Sequence, residues 1–143
     1  MTVSTRGRYA LRVMADLAEH CGEFIPLKAV AERQNISQKY LEGIMTSLSK
    51  AGLVEGAHGK GGGYRLCRAP EDYSVREILE ITEGELAPVA CLKKDAPPCD
   101  MSERCKTLPM WKALYKTVNN FFDSYSLADL ILENNDDKGS WII

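Results

Sequence analysis

The sequence predicts a mainly α fold that carries one small β-hairpin and closes on a long helix. Three features lead there: apolar residues recurring every three to four positions, two short strand-like runs around a glycine-rich tip, and a stripe of large aromatics near the chain end. At 143 residues the chain has the size of a single domain and can bury a real core. Its apolar share of 45% and charged share of 27% fit a soluble globular protein.

From Thr5 to His20, the residues Tyr9, Ala10, Val13, Met14, Leu17 and Ala18 share one face of an amphipathic helix, and Gly22 stops it. His20 falls at the helix end. Pro26 introduces a short helix over Leu27 to Gln34, broken at Gln34-Asn35. Ser37 is an N-cap for a further helix, with Tyr40, Leu41, Ile44, Met45 and Leu48 as its buried stripe and Gly52 as its end. The period then changes. Leu53-Val54-Glu55 and Tyr64-Arg65-Leu66 read as strands around a tip holding Gly59, Lys60, Gly61, Gly62 and Gly63, a hairpin. After the boundary at Pro70, Ser74-Val-Arg-Glu77 reads as a capping box that opens a helix through Ile78, Leu79 and Ile81 to Gly84.

Glu85 to Thr107 is the one long stretch without periodicity, and a loop of that length in a small domain is usually functional or disordered. It is followed by a sixteen-residue helix with Trp111, Leu114, Tyr115, Val118, Phe121, Phe122 and Tyr125, then by a short helix capped by Ser126 and Asp129. The expected divisions are a DNA-binding domain over 1–84, a cysteine-bearing sensor loop over 85–107, helical segments over 108–133 and a polar tail over 134–143. The seven bulky apolar residues from Trp111 to Tyr125 exceed what one face of a small helical core absorbs. A two-fold pairing of this helix with a second copy is the economical way to cover them.

No run of eighteen apolar residues exists, which excludes a helical membrane span, and the N-terminus lacks a secretory signal. A cytoplasmic location is expected, where cysteines stay reduced. The net charge is only −2, but residues 1–68 carry ten Lys and Arg against six Asp and Glu, a balance of +4, which leaves −6 for residues 69–143. A basic first half suits phosphate neutralisation. Two short helices, a tight turn and a hairpin together make a winged helix-turn-helix, whose second helix enters the major groove by its N-terminal residues. Those residues are Ser37, Gln38, Lys39, Tyr40 and Glu42, with His58 and Lys60 on the wing and Arg6 and Arg8 at the first helix as further contacts to DNA. Tyr40 faces either phosphate or core. Four glycines in the five positions from Gly59 to Gly63 suit close backbone approach to a polyanion, and the run opens no helix, unlike a nucleotide-binding loop.

Ser4-Thr-Arg-Gly-Arg-Tyr-Ala10, Ile36-Ser-Gln-Lys-Tyr-Leu-Glu42, Ala51-Gly-Leu-Val54 and Gly59-Lys-Gly-Gly-Gly-Tyr64 together resemble the bacterial Rrf family of winged-helix regulators, of the IscR, NsrR and CymR type, and the likeness runs through Leu130. The resemblance implies a homodimer on a palindromic operator in double-stranded DNA, a long C-terminal dimerisation helix, and repression or activation of transcription. It would make Ser37, Tyr40 and Glu42 recognition-helix contacts, and His58 and Lys60 wing contacts. His58 stands where many members carry arginine.

Cys91, Cys99 and Cys105 lie on the sensor loop with seven and then five residues between them. Soft thiolates on a loop suit iron–sulfur ligation, and Lys93, Lys94, Arg104 and Lys106 favour the thiolate. The spacing fits no common zinc pattern. The resemblance strengthens the iron–sulfur reading, since cluster-binding members carry three cysteines in this loop. It departs from them in a longer first gap and in Leu108, where one subgroup has histidine. A fourth ligand would then come from Asp95, Asp100, Glu103 or the partner chain. Control by a small molecule, a partner protein, zinc or thiol redox state is the alternative. Cys21 and Cys67 read as small buried hydrophobes. An enzyme is not expected, because no nucleophile–base pair is evident and His20 and His58 have no metal-ligand spacing.

Overall fold

The computed structural model describes residues 2–132. The expected polar tail over 134–143 lies outside the described residues, as does residue 133. Helix α1 spans Thr5–Glu19, and the Ser4 hydroxyl caps it by accepting the Gly7 N–H at 3.1 Å. Its inner face, Ala10, Val13, Met14 and Leu17, is at most 1% exposed. Helix α2 spans Leu27–Gln34 and ends at Asn35, whose left-handed backbone (φ 54°) turns the chain sharply. Asparagine tolerates that region better than most residues.

Helix α3 spans Gln38–Lys50, and the Ser37 hydroxyl caps it by accepting the Tyr40 N–H at 3.1 Å. Leu41, Ile44, Met45 and Leu48 face the core as expected. Tyr40 does not: it is 43% exposed, and its ring rests edge-on against Tyr9. At helical spacing it lies just outside the stripe, so only the ring edge is covered.

Strands β1 (Val54–Ala57) and β2 (Gly63–Leu66) pair antiparallel, in register from Val54 with Leu66 to Ala57 with Gly63. They sit nearer the tip than Leu53, which is buried just ahead of β1. The outer edge of β2 takes a third partner: the Ile25 N–H donates to the Tyr64 carbonyl at 2.8 Å, and the Tyr64 N–H to the Ile25 carbonyl at 2.9 Å. This close approach explains Gly63, which has a φ of +141° and whose Cβ, if present, would lie 2.2 Å from the Ile25 carbonyl oxygen.

Helix α4 spans Val75–Glu83, capped by Ser74. The expected capping box is only half made. The Ser74 hydroxyl accepts the Glu77 N–H at 3.1 Å, but the Glu77 carboxylate turns to Arg68, 2.6 Å away, because that cation offers a stronger partner than a backbone N–H. Helix α5 spans Leu108–Asp123 and α6 spans Leu127–Leu130; α6 opens on a complete box made by Ser126 and Asp129. The two caps lie side by side, because Val75 N–H donates to Tyr125 O at 2.9 Å and Leu127 N–H to Tyr73 O at 3.0 Å.

The main core joins α1, α2, α3, the hairpin base, Ile78 and Leu127. A second cluster holds Val75, Leu79 and Leu86, with Leu11, Val118, Phe122, Tyr125 and Leu130 against it. Within helix α5 only Asn119 is buried. Among the described residues, no helix is long and apolar enough to cross a membrane.

Candidate functional site

Helix α3 turns its apolar stripe inward, so the other side of its first turn is free. Ser37, Gln38, Lys39, Tyr40 and Glu42 are all exposed there. The Ser37 oxygen is occupied by the Tyr40 N–H, which leaves its hydroxyl hydrogen to donate. Arg6 and Arg8 are exposed on the first turn of α1. Arg6 donates to the Ser47 hydroxyl of α3, and Arg8 to Thr5 Oγ1 at 3.1 Å. Thus Arg6 connects the start of α1 to the far side of α3, a link with no sequence signal. His58 and Lys60 are exposed on the hairpin tip.

A polar knot fixes the turn that aims α3. Asp16 on α1 is 3% exposed. It accepts from Arg33 at 2.7 and 3.0 Å and from Gln34 at 2.9 Å, both at the end of α2. Arg12 donates to the Gln34 side chain at 3.3 Å and to its carbonyl. Burial alone would push the Asp16 carboxyl up. Hydrogen bonds from Arg33 and Gln34, with the charges of Arg33 and His20, outweigh it and hold the group below its ordinary value. His20 closes α1 as expected, its Nδ1 3.0 Å from the Asp16 carbonyl. This knot leaves no local signal in the sequence, since Asp16 sits on an otherwise apolar face and its partners are seventeen and eighteen residues away.

Cys91, Cys99 and Cys105 line one open cavity of about 310 Å³, walled by Leu92, Ala96, Pro97, Pro98 and Leu108. Cys91 and Cys99 are exposed and Cys105 is partly so. Among the described residues, no three His, Cys, Asp or Glu stand close enough to hold a metal ion. The donor set therefore suits a soft metal centre chemically, while the loop would have to close further to bring the sulfurs together. The Cys105 sulfur lies 3.3 Å from the Thr107 hydroxyl. That hydrogen bond, with the N–H groups of Thr107 and Leu108 at the start of α5, holds its thiol below the usual value. Asp95, Asp100 and Glu103 are not gathered with the thiols into such a group.

Two carboxylates anchor the root of this loop. Glu85 accepts the Lys94 N–H at 2.8 and 2.9 Å and the Tyr115 hydroxyl at 3.3 Å. Glu83 accepts the Ser4 N–H at 3.0 Å and the Ser4 hydroxyl. Gly7 belongs to the same contact, because a Cβ there would lie 2.3 Å from the Glu83 Oε1. Cys21 and Cys67 are exposed, contrary to expectation. Cys21 lies in the turn after α1, and Cys67 follows the buried Leu66, so strand alternation points it outward.

Helix α5 divides its apolar residues between two adjoining stripes. Trp111, Tyr115, Val118 and Phe122 are half-buried, as is Tyr125 just beyond the helix end. Met110, Leu114 and Phe121 are 54%, 40% and 41% exposed. The rings of Phe121, Phe122 and Tyr125 pack together, with centroids 5.3–5.5 Å apart.

A family model described as "Rrf2: Iron-dependent Transcriptional regulator" matches residues 3–133 of the chain. The HTH-type transcriptional regulator IscR of Aliivibrio salmonicida is 36% identical over 135 residues, spanning 94% of this chain and 79% of that protein. Among solved structures, CymR (YrzC), the global cysteine regulator of B. subtilis, is similar with a TM-score of 0.76 and 32% identity, covering 92% of this chain and 96% of that one. IscR of T. potens is similar with a TM-score of 0.72 and 34% identity, covering 100% of this chain and 93% of that one.

Proposed function

The chain belongs to the Rrf2 family of transcriptional regulators, and from that premise we propose that it grips operator DNA as a homodimer and is switched at its cysteine loop. It is a regulator and not an enzyme, as its relatives are. The observation that carries the DNA reading is the first turn of α3, held rigidly by its apolar stripe while five polar side chains stand outside. Gln38 and Glu42 read base edges, Glu42 by accepting from cytosine N4. Lys39, Arg6 and Arg8 neutralise phosphates, with Tyr40 and Ser37 donating hydroxyl hydrogens nearby. Lys60 and His58 carry the wing to the flanking backbone. Two copies joined along α5 would set two recognition helices on half-sites of a palindrome.

Cys91, Cys99 and Cys105 are the residues that would hold an iron–sulfur cluster. Such a cluster supplies redox and ligand-exchange chemistry that makes the loop sensitive to oxidants, nitric oxide or iron supply. The chain's own part is mechanical. Glu85 ties the loop to α5 through Tyr115, and Glu83 ties its root to the cap of α1. A change of loop conformation therefore bears on α5, which would join the two copies, and on α1, which carries Arg6 and Arg8. A second reading is favoured by the depressed Cys105 thiol and the unconverged sulfurs: a thiol switch without metal.

Anaerobic purification tests the first reading. The protein should be brown, and its visible absorption should disappear in the variant Cys91→Ala/Cys99→Ala/Cys105→Ala. Holo and apo protein should retard promoter fragments with different affinities, since only a difference between states can switch them. Colourless protein with stoichiometric zinc would end the cluster reading. Thiol-dependent operator affinity in colourless, metal-free protein would select the second.

A further inference from the structure

We infer that Tyr73 is the positioning residue of the wing, holding the β1–β2 hairpin at the angle where its tip meets DNA. This rests on the reading that the wing touches DNA. Tyr73 is 1% exposed and lies outside the hairpin. Its hydroxyl donates to the Leu53 carbonyl at 2.6 Å and accepts the N–H groups of Cys67 at 3.0 Å and Arg68 at 3.1 Å. Leu53 immediately precedes β1, and Cys67 and Arg68 immediately follow β2. One oxygen atom thus fastens both feet of the hairpin, and it uses its full hydrogen-bonding capacity to do so.

The post is itself braced. Arg68 lies over the Tyr73 ring at 4.3 Å and pairs with Glu77 of α4 at 2.6 Å. The Tyr73 carbonyl accepts the Leu127 N–H at 3.0 Å, which locks the residue to the cap of α6. On the tip side, by contrast, His58 to Gly61 is exposed. Leverage makes the feet matter. The Ile25–Tyr64 bonds hold one edge of β2, so the feet govern rotation about that edge; at about 3.3 Å per residue a tip five residues from its feet is roughly 16 Å out, and a 10° swing moves it by about 3 Å. A hydrogen bond to phosphate does not survive a displacement of that size. A wing fixed before binding also spares the entropy of ordering it on DNA.

A double-mutant cycle on the full chain tests this, using Tyr73→Phe, Lys60→Ala and the pair against a duplex that the wild-type protein selects from a random-sequence pool. Removing the hydroxyl keeps the ring packed. Each single variant should weaken binding by about fivefold to tenfold, and the pair should be no weaker than the weaker of the two single variants, because Tyr73 acts through the tip. Full additivity, or unchanged binding by Tyr73→Phe while Lys60→Ala weakens it, overturns the proposal and leaves the DNA-contacting wing standing. Unchanged binding by Lys60→Ala and by His58→Ala removes the contacting wing and the proposal together. If Tyr73→Phe does not fold, amide exchange in free wild-type protein decides. The Cys67 and Arg68 amides should exchange only on global opening, and exchange as fast as at Lys60 and Gly61 overturns the proposal.

Discussion

Replacing Asp16 with asparagine keeps the side-chain shape and removes the charge on which three hydrogen bonds converge. Asp16 accepts from Arg33 Nη2 at 2.7 Å, Arg33 Nε at 3.0 Å and Gln34 Nε2 at 2.9 Å. An asparagine has one acceptor oxygen, and its amide hydrogens face donors, so at most the two bonds that share Oδ2 survive. Hydrogen bonds to charged groups contribute about 1.5–3 kcal/mol each. Breaking a fully buried ion pair costs about 3–5 kcal/mol. Arg33 is 42% exposed and can return to water, which brings the expected loss down to about 2 kcal/mol. For a chain of 143 residues that is a fall of roughly 6–10 °C in Tm. The pH dependence follows from the carboxyl lying below its ordinary value in the fold. Ionised Asp16 stabilises the native state fully above the unfolded value of about 4, and the benefit is lost as pH falls through the lower, folded value. Urea unfolding followed by circular dichroism should therefore show a gap of about 2 kcal/mol at pH 7 that closes below about pH 4. A variant within about 0.5 kcal/mol of wild type at pH 7, or a gap that acid leaves unchanged, refutes this account of the knot.

Gly63→Ala places a methyl group 2.2 Å from the Ile25 carbonyl oxygen on a residue at φ +141°. It should cost at least about 2 kcal/mol in thermal unfolding and weaken DNA binding more than Lys60→Ala does; wild-type stability would show that β2 does not approach Ile25 so closely. Leu114→Asp and Phe121→Asp each put a charge on the exposed stripe of α5 and should give monomers in sedimentation velocity with much weaker operator binding. Covering what remains exposed of Met110, Leu114 and Phe121 contributes about 1 kcal/mol per side chain, a useful share of the association cost of about 4–15 kcal/mol. Dimers that persist in both variants place the interface elsewhere.

Local rules carried most of the fold. Ser37, Ser74 and Ser126 are caps because a short side-chain oxygen beside free N–H groups has one economical use, and each accepts the N–H three residues on. What local rules missed was decided by partners distant in sequence. Glu77 completes no box because Arg68 arrives from the end of the hairpin. Tyr40 leaves the stripe to rest on Tyr9, thirty-one positions earlier. Cys67 points outward because Leu66 takes the inward place. The candidate site divides in the same way. The exposed first turn of α3 was legible from its stripe, whereas the Asp16 knot, the Tyr73 post and the two loop carboxylates depend on contacts that no periodicity records.

Those two carboxylates bear on how a loop that touches no DNA would alter DNA binding. Glu83 and Glu85 flank Gly84, where the chain leaves α4 at φ 75°. One holds the cap of α1 and the other holds Lys94 and Tyr115. Arg6 stands two residues beyond Ser4 and donates to Ser47 of α3. Reorganising residues 85–107 to gather three thiols would strain the Glu85 contacts first, and a rotation at Gly84 would then pull on Ser4. Gly7 lets the Glu83 carboxylate come this close, since even a methyl group there would displace it. Under the proposed function the sensor therefore need not bend the recognition helix. It needs only to shift the start of α1, because Arg6 and Arg8 ride on that turn and Arg6 grips α3 directly.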